Sequence, residues 1–180
     1  MKIDKSKLFV RRLKVDELDV YMDFVEFAKS KMEHPEWLGE FSKKDYMKMF
    51  GCNAEIFVWT FFDNMNKEFT DINQFIACGM LIPAKKTDLE KFKLKELKYS
   101  EVIDFGPEIV HPDYIGNGLQ MDVIDYLERI AISENYKYGV GTVAPDNIYS
   151  VRNLLKKDFE IANRVTLKRG ERLVVKKDFK

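Results

Sequence analysis

The chain has 180 residues, of which 46% are hydrophobic and 33% are charged. This is enough apolar material for one sizeable core, so we expect a single domain over residues 1–180. Its 30 Lys and Arg residues balance its 30 Asp and Glu residues, which gives zero formal net charge. That balance argues against a broad surface for nucleic acids or anionic membranes, because such a surface needs a local excess of basic charge.

The sequence carries no sign of membrane insertion or secretion. Its longest apolar run, residues 75–84, is far shorter than the roughly 18 residues that a membrane span requires. The first twelve residues are charged throughout and lack the apolar core of a secretory signal. Two cysteines, Cys52 and Cys78, favour reduced thiols over a disulfide framework. The predicted compartment is therefore cytoplasmic.

The N-terminal half alternates between helical and extended patterns. Residues 7–13 are compatible with an edge strand. A helix capped by Asp16 follows, and its apolar residues recur with a helical period. A short second helix is predicted over about 43–49. The β-branched and aromatic residues 55–62 predict a buried strand, with residues 73–82 as its hairpin partner.

The C-terminal half alternates strand and helix. Residues 85–98 predict a solvated amphipathic helix or excursion. The elements that follow are a strand from Val102 to Val110, a helix to about Ser133, a strand from Tyr138 to Val143, a helix to about Lys157, and strands over 161–167 and 172–176. A strand, helix, strand order implies at least one parallel pairing, and hence a mixed α/β sheet.

The most informative segment is the turn that follows Val110. Pro112 ends the predicted strand, and Gly116 and Gly118 come immediately before an amphipathic helix. The first N–H groups of a helix have no partner within it, and the helix dipole is positive there. Such a start can hold a phosphate. Gly-x-Gly before a helix is by itself more often only a turn, and neither a P-loop nor a dinucleotide fingerprint is present.

A second segment, residues 142–159, carries the pattern APDN-x-x-S. Asn147 stands where a helix N-cap is expected, and Ser150 lies one turn further. A well-capped helix explains much of this pattern. It does not explain why the pattern is paired with the glycine turn upstream.

The order of elements, together with VHPDYIGNGLQ and APDN-x-x-S, resembles the GCN5-related N-acetyltransferase family. The resemblance implies an α/β (α+β) fold in one domain, with a mixed, mostly antiparallel sheet, a central splayed parallel strand pair and helices on both faces. It implies transfer of an acetyl group from acetyl-CoA to a primary amine, with coenzyme A as cosubstrate. The acceptor is unidentified: a small molecule is expected, and an aminoglycoside, an amino acid, a polyamine and a peptide amine are all open. No nucleic acid or membrane partner is expected from the balanced charge, and the family's pairing through sheet edges would give a homodimer.

The resemblance also implies the cofactor site. In this family a turn patterned R/Q-x-x-G-x-G/A holds the pyrophosphate through backbone amides, and residues 113–118 match it, except that Asp113 stands where Arg or Gln is usual. Gln120 could add a side-chain donor. The strand ending at Val110 should splay from the strand at 138–143. The implied contacts are Ile115, Gly116, Asn117, Gly118, Leu119 and Gln120 with the pyrophosphate, free N–H groups near Ile109, Val110 and His111 with the thioester carbonyl and pantetheine, and Asn147 and Ser150 with the pantetheine arm.

Three side chains are candidates for the general base. Glu108 is the first choice because it is a carboxylate in the strand alongside the thioester, although a solvent-facing strand residue is an equal alternative. His111 is the rival because it titrates near neutral pH, although a surface turn residue is the more ordinary interpretation. Asp104 is third. Side chains alternate along a strand, so Glu108 and His111 should face opposite sides.

Several expectations concern the rest of the reaction. Many members of the family carry a proton-donor tyrosine where Leu154 stands here. Tyr149 and Tyr114 lie nearby in sequence but not at the matching position, so the general acid is left open, and solvent could protonate the leaving thiolate. Acidic residues and Trp37 in the loop 33–41 could bind a cationic amine, but an ordinary exposed loop is favoured. Cys78 lies in an apolar strand, so direct attack in a ternary complex is preferred to an acyl-enzyme. No metal-ligand spacing appears. The alternative function is a regulatory module that binds CoA without transferring an acyl group.

Overall fold

A computed structural model describes residues 1–179. The described chain divides into two compact units. The first contains residues 1–80 and 107–123, and the second contains residues 81–106 and those from 124 onward. Strand β3 (Ala77–Pro83) and helix α4 (Leu119–Ser133) each contribute residues to both units. Over residues 1–179, no helix combines the length and apolar content that crossing a membrane requires.

The first unit is built on an antiparallel arrangement of strands. Strand β1 lies at the edge and pairs antiparallel with β2, and β2 is followed by β3. Strand β5 pairs antiparallel with the beginning of β3. The predicted edge strand and both predicted helices are confirmed. The elements are β1 (Leu8–Arg12), α1 (Leu18–Ser30), α2 (Lys43–Phe50), β2 (Glu55–Phe61) and β5 (Ile109–Val110).

Aromatic side chains from α1 form the core of the first unit. Phe24 stacks on Phe75 with ring centroids 5.0 Å apart, and Tyr21 meets the edge of Tyr46 at 5.5 Å. These four side chains are fully or almost fully buried. Helix α1 also packs against β5, so the short strand that carries two predicted site residues rests on a rigid aromatic layer.

The predicted cap of α1 is wrong. A 3-10 turn over Val15–Glu17 precedes the helix, and the side chain that organises its start is Glu17. The buried Glu17 carboxylate accepts hydrogen bonds from the backbone N–H groups of Lys14 and Phe69 and pairs with Arg11 at 2.8 Å. Asp16 was expected because it precedes the apolar face, but the contacts of Glu17 with Arg11 on β1 and with the distant Phe69 select its neighbour.

The second unit holds the parallel strand pair. Its strand order is β3-β4-β6-β8-β7. Residues 102–104 of β4 run parallel to residues 138–140 of β6, and the other registered pairs are antiparallel. The predicted mixed, mostly antiparallel sheet is confirmed. The elements are α3 (Lys86–Phe92), β4 (Val102–Phe105), β6 (Tyr138–Val143), α5 (Ile148–Lys156), β7 (Glu160–Leu167) and β8 (Gly170–Asp178).

One strand prediction is corrected. The sequence favoured a continuous strand from Val102 to Val110, whereas β4 ends at Phe105 and β5 begins at Ile109. Gly106 and Pro107 lie between them, and proline has no N–H group to donate to a sheet. The interruption separates β4, which belongs to the second unit, from β5, which belongs to the first.

Candidate functional site

Strand β5 orients the backbone groups that were expected to bind a thioester. The N–H of His111 donates to the carbonyl of Ile76 at 2.9 Å, and Cys78 pairs with Ile109. Because N–H directions alternate along a strand, those of Ile109 and His111 point toward β3, and that of Val110 points to the opposite edge. Of the three residues expected to offer a free N–H group (Ile109, Val110 and His111), only Val110 therefore directs its N–H away from β3.

Glu108 immediately precedes β5 and is partly buried. Burial raises the pKa of Glu108 to about 7, while hydrogen bonds from its own backbone and from the Gln120 side chain oppose the rise. A carboxyl group with this pKa exists in both protonation states near neutral pH. Gln120, which was expected to face a phosphate, uses its side chain here to hold the carboxylate.

His111 leaves the strand toward α1. Its imidazole is stacked near the ring of Phe24 at 6.1 Å and lies 5.3 Å from Phe27 and 5.4 Å from Tyr114. The Glu108 carboxyl group, in contrast, is hydrogen-bonded to the Gln120 side chain in α4. Burial lowers the pKa of His111, and the charge of Asp113 only partly opposes this effect. The ring is therefore neutral at pH 7.

The turn before α4 presents unpartnered backbone donors. Gly116 and Gly118 have φ angles of 87° and 70°, a region that disfavours residues with a Cβ atom. Within residues 1–179, the backbone N–H groups of Gly116, Asn117 and Gly118 meet no acceptor. These three groups lie at the positive end of a 15-residue helix. Backbone donors in this arrangement suit a phosphate group.

Two side chains organise the same turn. Asn117 donates to the carbonyl of Tyr114 at 2.8 Å and accepts from the N–H of Ile3 at 3.2 Å, so its amide braces the turn. Lys5 forms an ion pair with Asp122 in the first turn of α4 at 2.6 Å. Lys5 therefore offsets a carboxylate that would otherwise repel an anion.

Sequence reasoning missed Lys5. It lies more than 110 residues from the turn in the chain, and no local pattern distinguishes it from the other lysines of the N-terminal segment. Only the folded first unit brings its ammonium group near Gly118, within 3.5 Å of the position that a Cβ atom would take.

The N-terminus of α5, in the second unit, is capped by the side chain of Asn147. Asn147 accepts a hydrogen bond from the backbone N–H of Ser150 at 3.1 Å, which confirms it as the N-cap. Leu154, where the resemblance implies a proton donor, is 5% exposed and lies on the buried side of the helix. Tyr149 is largely exposed.

The charges in the loop between α1 and α2 are partly neutralised. Glu36 lies 3.1 Å from His34, and Glu40 lies 3.7 Å from Lys29. Trp37 stacks on His34 at 4.6 Å, and its indole nitrogen is buried. The Glu40–Lys29 pair reduces the negative potential that this loop would offer to a cationic amine.

Cys78 is unsuited to act as a nucleophile near neutral pH. Burial raises the pKa of the Cys78 thiol to about 12, so almost none of it is thiolate near neutral pH. Among the residues that the structure describes, no group of three His, Cys, Asp or Glu side chains is arranged to hold a metal ion.

Comparison with known proteins identifies the fold. No protein-family model matches the chain, and no curated protein matches it at a significant level. Solved structures do match over nearly full length. An N-acetyltransferase from Staphylococcus aureus Mu50 is 14% identical with a TM-score of 0.68, covering 96% of this chain and 99% of that chain.

Two further structures agree. A GCN5-related N-acetyltransferase from Kribbella flavida is 13% identical with a TM-score of 0.67, covering 98% of this chain and 100% of its own. The Salmonella typhimurium protein yncA, solved with its cofactor acetyl-CoA, is 12% identical with a TM-score of 0.67, covering 97% and 95%. The fold is therefore that of the GCN5-related N-acetyltransferases.

Proposed function

We propose that the chain is an acetyl-CoA-dependent N-acyltransferase that transfers an acetyl group to the primary amine of a small molecule. The observation that carries the proposal is the juxtaposition, within the first unit, of three unpartnered N–H groups at Gly116–Gly118 and a carboxyl group, Glu108, whose pKa is about 7. The first feature suits an anionic cofactor and the second suits proton abstraction from an amine. The fold shared with acetyltransferases supports the same conclusion.

Under this proposal the turn holds the pyrophosphate of CoA through backbone donors. Asp113 departs from the family pattern, but a main-chain site does not depend on that side chain. Val110 offers its outward N–H to the thioester carbonyl. Asn147 and Ser150 remain predicted neighbours of the pantetheine arm.

The chemistry follows from the assigned base. The substrate reacts as the neutral amine, and Glu108, as a carboxylate, takes the one proton that the nitrogen loses on attack and later releases it to solvent. The nitrogen attacks the acetyl carbon, a C–N bond forms, and the C–S bond breaks to release CoA thiolate, which solvent protonates. We assign the base to Glu108 and not to His111, because Nδ1 of His111 already accepts a hydrogen bond from the N–H of Asp113. The high pKa of Cys78 favours direct attack over an acyl-enzyme.

The alternative is a module that binds CoA without transferring an acyl group. The buried, apolar Leu154 favours it, because the family's hydroxyl donor is missing there. Thiol release from acetyl-CoA, measured against a panel of amines, separates the two functions. Release with at least one amine supports the transferase, and binding without release over the whole panel supports the module.

Calorimetry tests the step that both functions share. We expect acetyl-CoA and desulfo-CoA to bind with comparable affinity, since the phosphates and the pantetheine are present in both. If neither ligand binds at high micromolar concentration, the proposal is refuted.

The proposal also includes a cytoplasmic location and a homodimer. The two free thiols of Cys52 and Cys78 support the cytoplasmic location.

A further inference from the structure

The imidazole of His111 holds a buried polar atom that nothing in the described structure satisfies. The residue is 2% exposed, and its Nε2 atom is buried without a hydrogen-bond partner among residues 1–179. Leaving a buried donor unpaired costs about 1–3 kcal/mol. Native proteins rarely retain such a group unless a ligand, a water molecule or a catalytic role uses it.

The hydrogen-bond pattern determines which nitrogen carries the proton. The backbone N–H of Asp113 donates to Nδ1 at 3.2 Å, so Nδ1 must be unprotonated. In a neutral imidazole the proton is then on Nε2. His111 therefore presents an N–H donor, and not a lone pair, at its unpartnered end.

The surroundings of the ring select an uncharged partner. The rings of Phe24, Phe27 and Tyr114 pack around the imidazole, and bringing an ion into such an apolar environment is costly. Phe27 and Tyr114 are each partly exposed, so rotation of either side chain can admit a ligand atom. Phe24 is fully buried and forms the fixed wall.

We propose that His111 donates its Nε2–H to an uncharged oxygen, carbonyl or hydroxyl, of a ligand bound at this site. The inference rests on the proposed transferase function and names a chemical group that its ligands must carry. Two sources supply that chemistry: an amide carbonyl of the pantetheine arm of CoA, or an oxygen of the amine substrate. His111 is a positioning residue under this proposal, and Glu108 remains the base.

A pair of variants separates the two ends of the ring. In His111→Asn, the side-chain oxygen can replace Nδ1 as the acceptor for Asp113 N–H, but no donor reaches the position of Nε2. In His111→Gln, the amide can place an N–H near the position of Nε2 while the contact with Asp113 is lost. A comparison of the two variants therefore separates the effect of losing the Nε2–H donor from the effect of losing the hydrogen bond between Asp113 N–H and Nδ1.

Binding is then measured with CoA and with 3′-phosphoadenosine 5′-diphosphate, which keeps the phosphates but lacks pantetheine. Turnover is measured with the amine found active in the thiol-release panel. Loss of one neutral hydrogen bond corresponds to a change of about 3- to 10-fold. If the partner is pantetheine, His111→Asn weakens CoA binding by this factor and leaves the diphosphate unchanged. If the partner is the amine, CoA binding is unchanged and KM for the amine rises. In either case His111→Gln retains most of the wild-type value.

Nitrogen NMR of the His111 ring supplies a readout independent of turnover. We expect Nε2 to be protonated in the free protein and its N–H proton to move downfield on binding of the relevant ligand. A folded His111→Asn variant with wild-type CoA affinity and wild-type KM would overturn the inference, as would a proton on Nδ1. Failure of the wild-type protein to bind CoA would instead refute the proposed function.

Discussion

Helices α4 and α5 begin differently, although the sequence marks both with helix-start signals. At α5 the Asn147 side chain accepts the Ser150 N–H, so the cap satisfies the helix from within. At α4, Gly116 and Gly118 adopt left-handed conformations on either side of Asn117, and the N–H groups of these three residues find no acceptor within residues 1–179. A side-chain cap and an external anion compete for the same donors. The uncapped start is therefore the one suited to a ligand.

The first turn of α4 has a second role that α5 lacks. Gln120 holds the carboxyl group of Glu108, so the helix start that is proposed to bind the cofactor also supports the proposed base. This coupling predicts that binding and chemistry can be separated by substitution at Glu108 but not by substitution in the turn.

The largest expected effect is on turnover. Glu108→Gln keeps the shape of the side chain but removes the base, so we expect kcat/KM to fall by about 10²- to 10⁴-fold with CoA affinity nearly unchanged. In the wild type, kcat/KM should rise with pH through about 7, because the carboxylate is the active form and burial raises the pKa of Glu108 to about 7. The variant should lack this inflection.

Steady-state kinetics from pH 5.5 to 8.5, with calorimetry as the binding control, check this prediction. A Glu108→Gln variant that retains wild-type turnover would remove the base assignment. A variant that loses CoA binding to the same extent would show that Glu108 supports the turn and not the chemistry.

The next effect concerns the turn itself. Gly116→Ala introduces a Cβ atom at a φ of 87°, where open space is available but the backbone conformation is strained. A non-glycine residue in this region costs about 1–2 kcal/mol, so we expect CoA to bind about tenfold more weakly if the strain displaces the three donors. Gly51→Ala, whose backbone is right-handed helical, is the matched control and should not change CoA affinity. Equal affinities for both variants would contradict the phosphate site.

A smaller effect is expected at α5. Asn147→Ala removes the N-cap and should lower the free energy of unfolding by about 1 kcal/mol. Asn147→Ser retains a capping oxygen and should recover most of that loss. Urea denaturation measures both variants. Because the Asn147 oxygen is already used within the helix, we expect CoA affinity to change by less than about twofold. A larger change in both variants would show that Asn147 contacts the cofactor directly.

The smallest effect is electrostatic. Lys5→Gln leaves Asp122 without its partner beside the turn, so CoA should bind about two- to threefold more weakly at low salt. The difference should shrink at 0.5 M salt, since exposed charges are then screened. The double variant with Asp122→Asn should return toward wild-type affinity. A loss that is independent of salt would indicate a structural role for Lys5.

Much of the fold could be predicted because its signals are local. The apolar spacing in α4 and the β-branched run in β2 predict the ends of those elements to within about one residue, and the spacing in α1 predicts that a helix lies there. The break between Phe105 and Ile109 was missed although Gly106 and Pro107 mark it, because the apolar pattern on either side favoured one longer strand. The Glu17 network was missed because Arg11 and Phe69 reach it from separate parts of the chain.

The candidate site was predictable in part for the same reason. Gly116, Gly118 and the helix they precede are adjacent in sequence, so the turn that is proposed to bind phosphate could be located from the sequence. The states of Glu108 and His111 could not, since the first depends on burial and Gln120, and the second depends on rings supplied by α1.

The sequence by itself therefore determined the element order, the glycine turn and the candidate carboxylate, because each depends on neighbouring residues and the period of the backbone. The tertiary structure decided which N–H groups remain unpartnered, which nitrogen of His111 carries its proton, and that Lys5 meets Asp122. Hydrogen bonding, burial and charge pairing act through space between residues far apart in the chain. Only the folded arrangement brings those residues within reach.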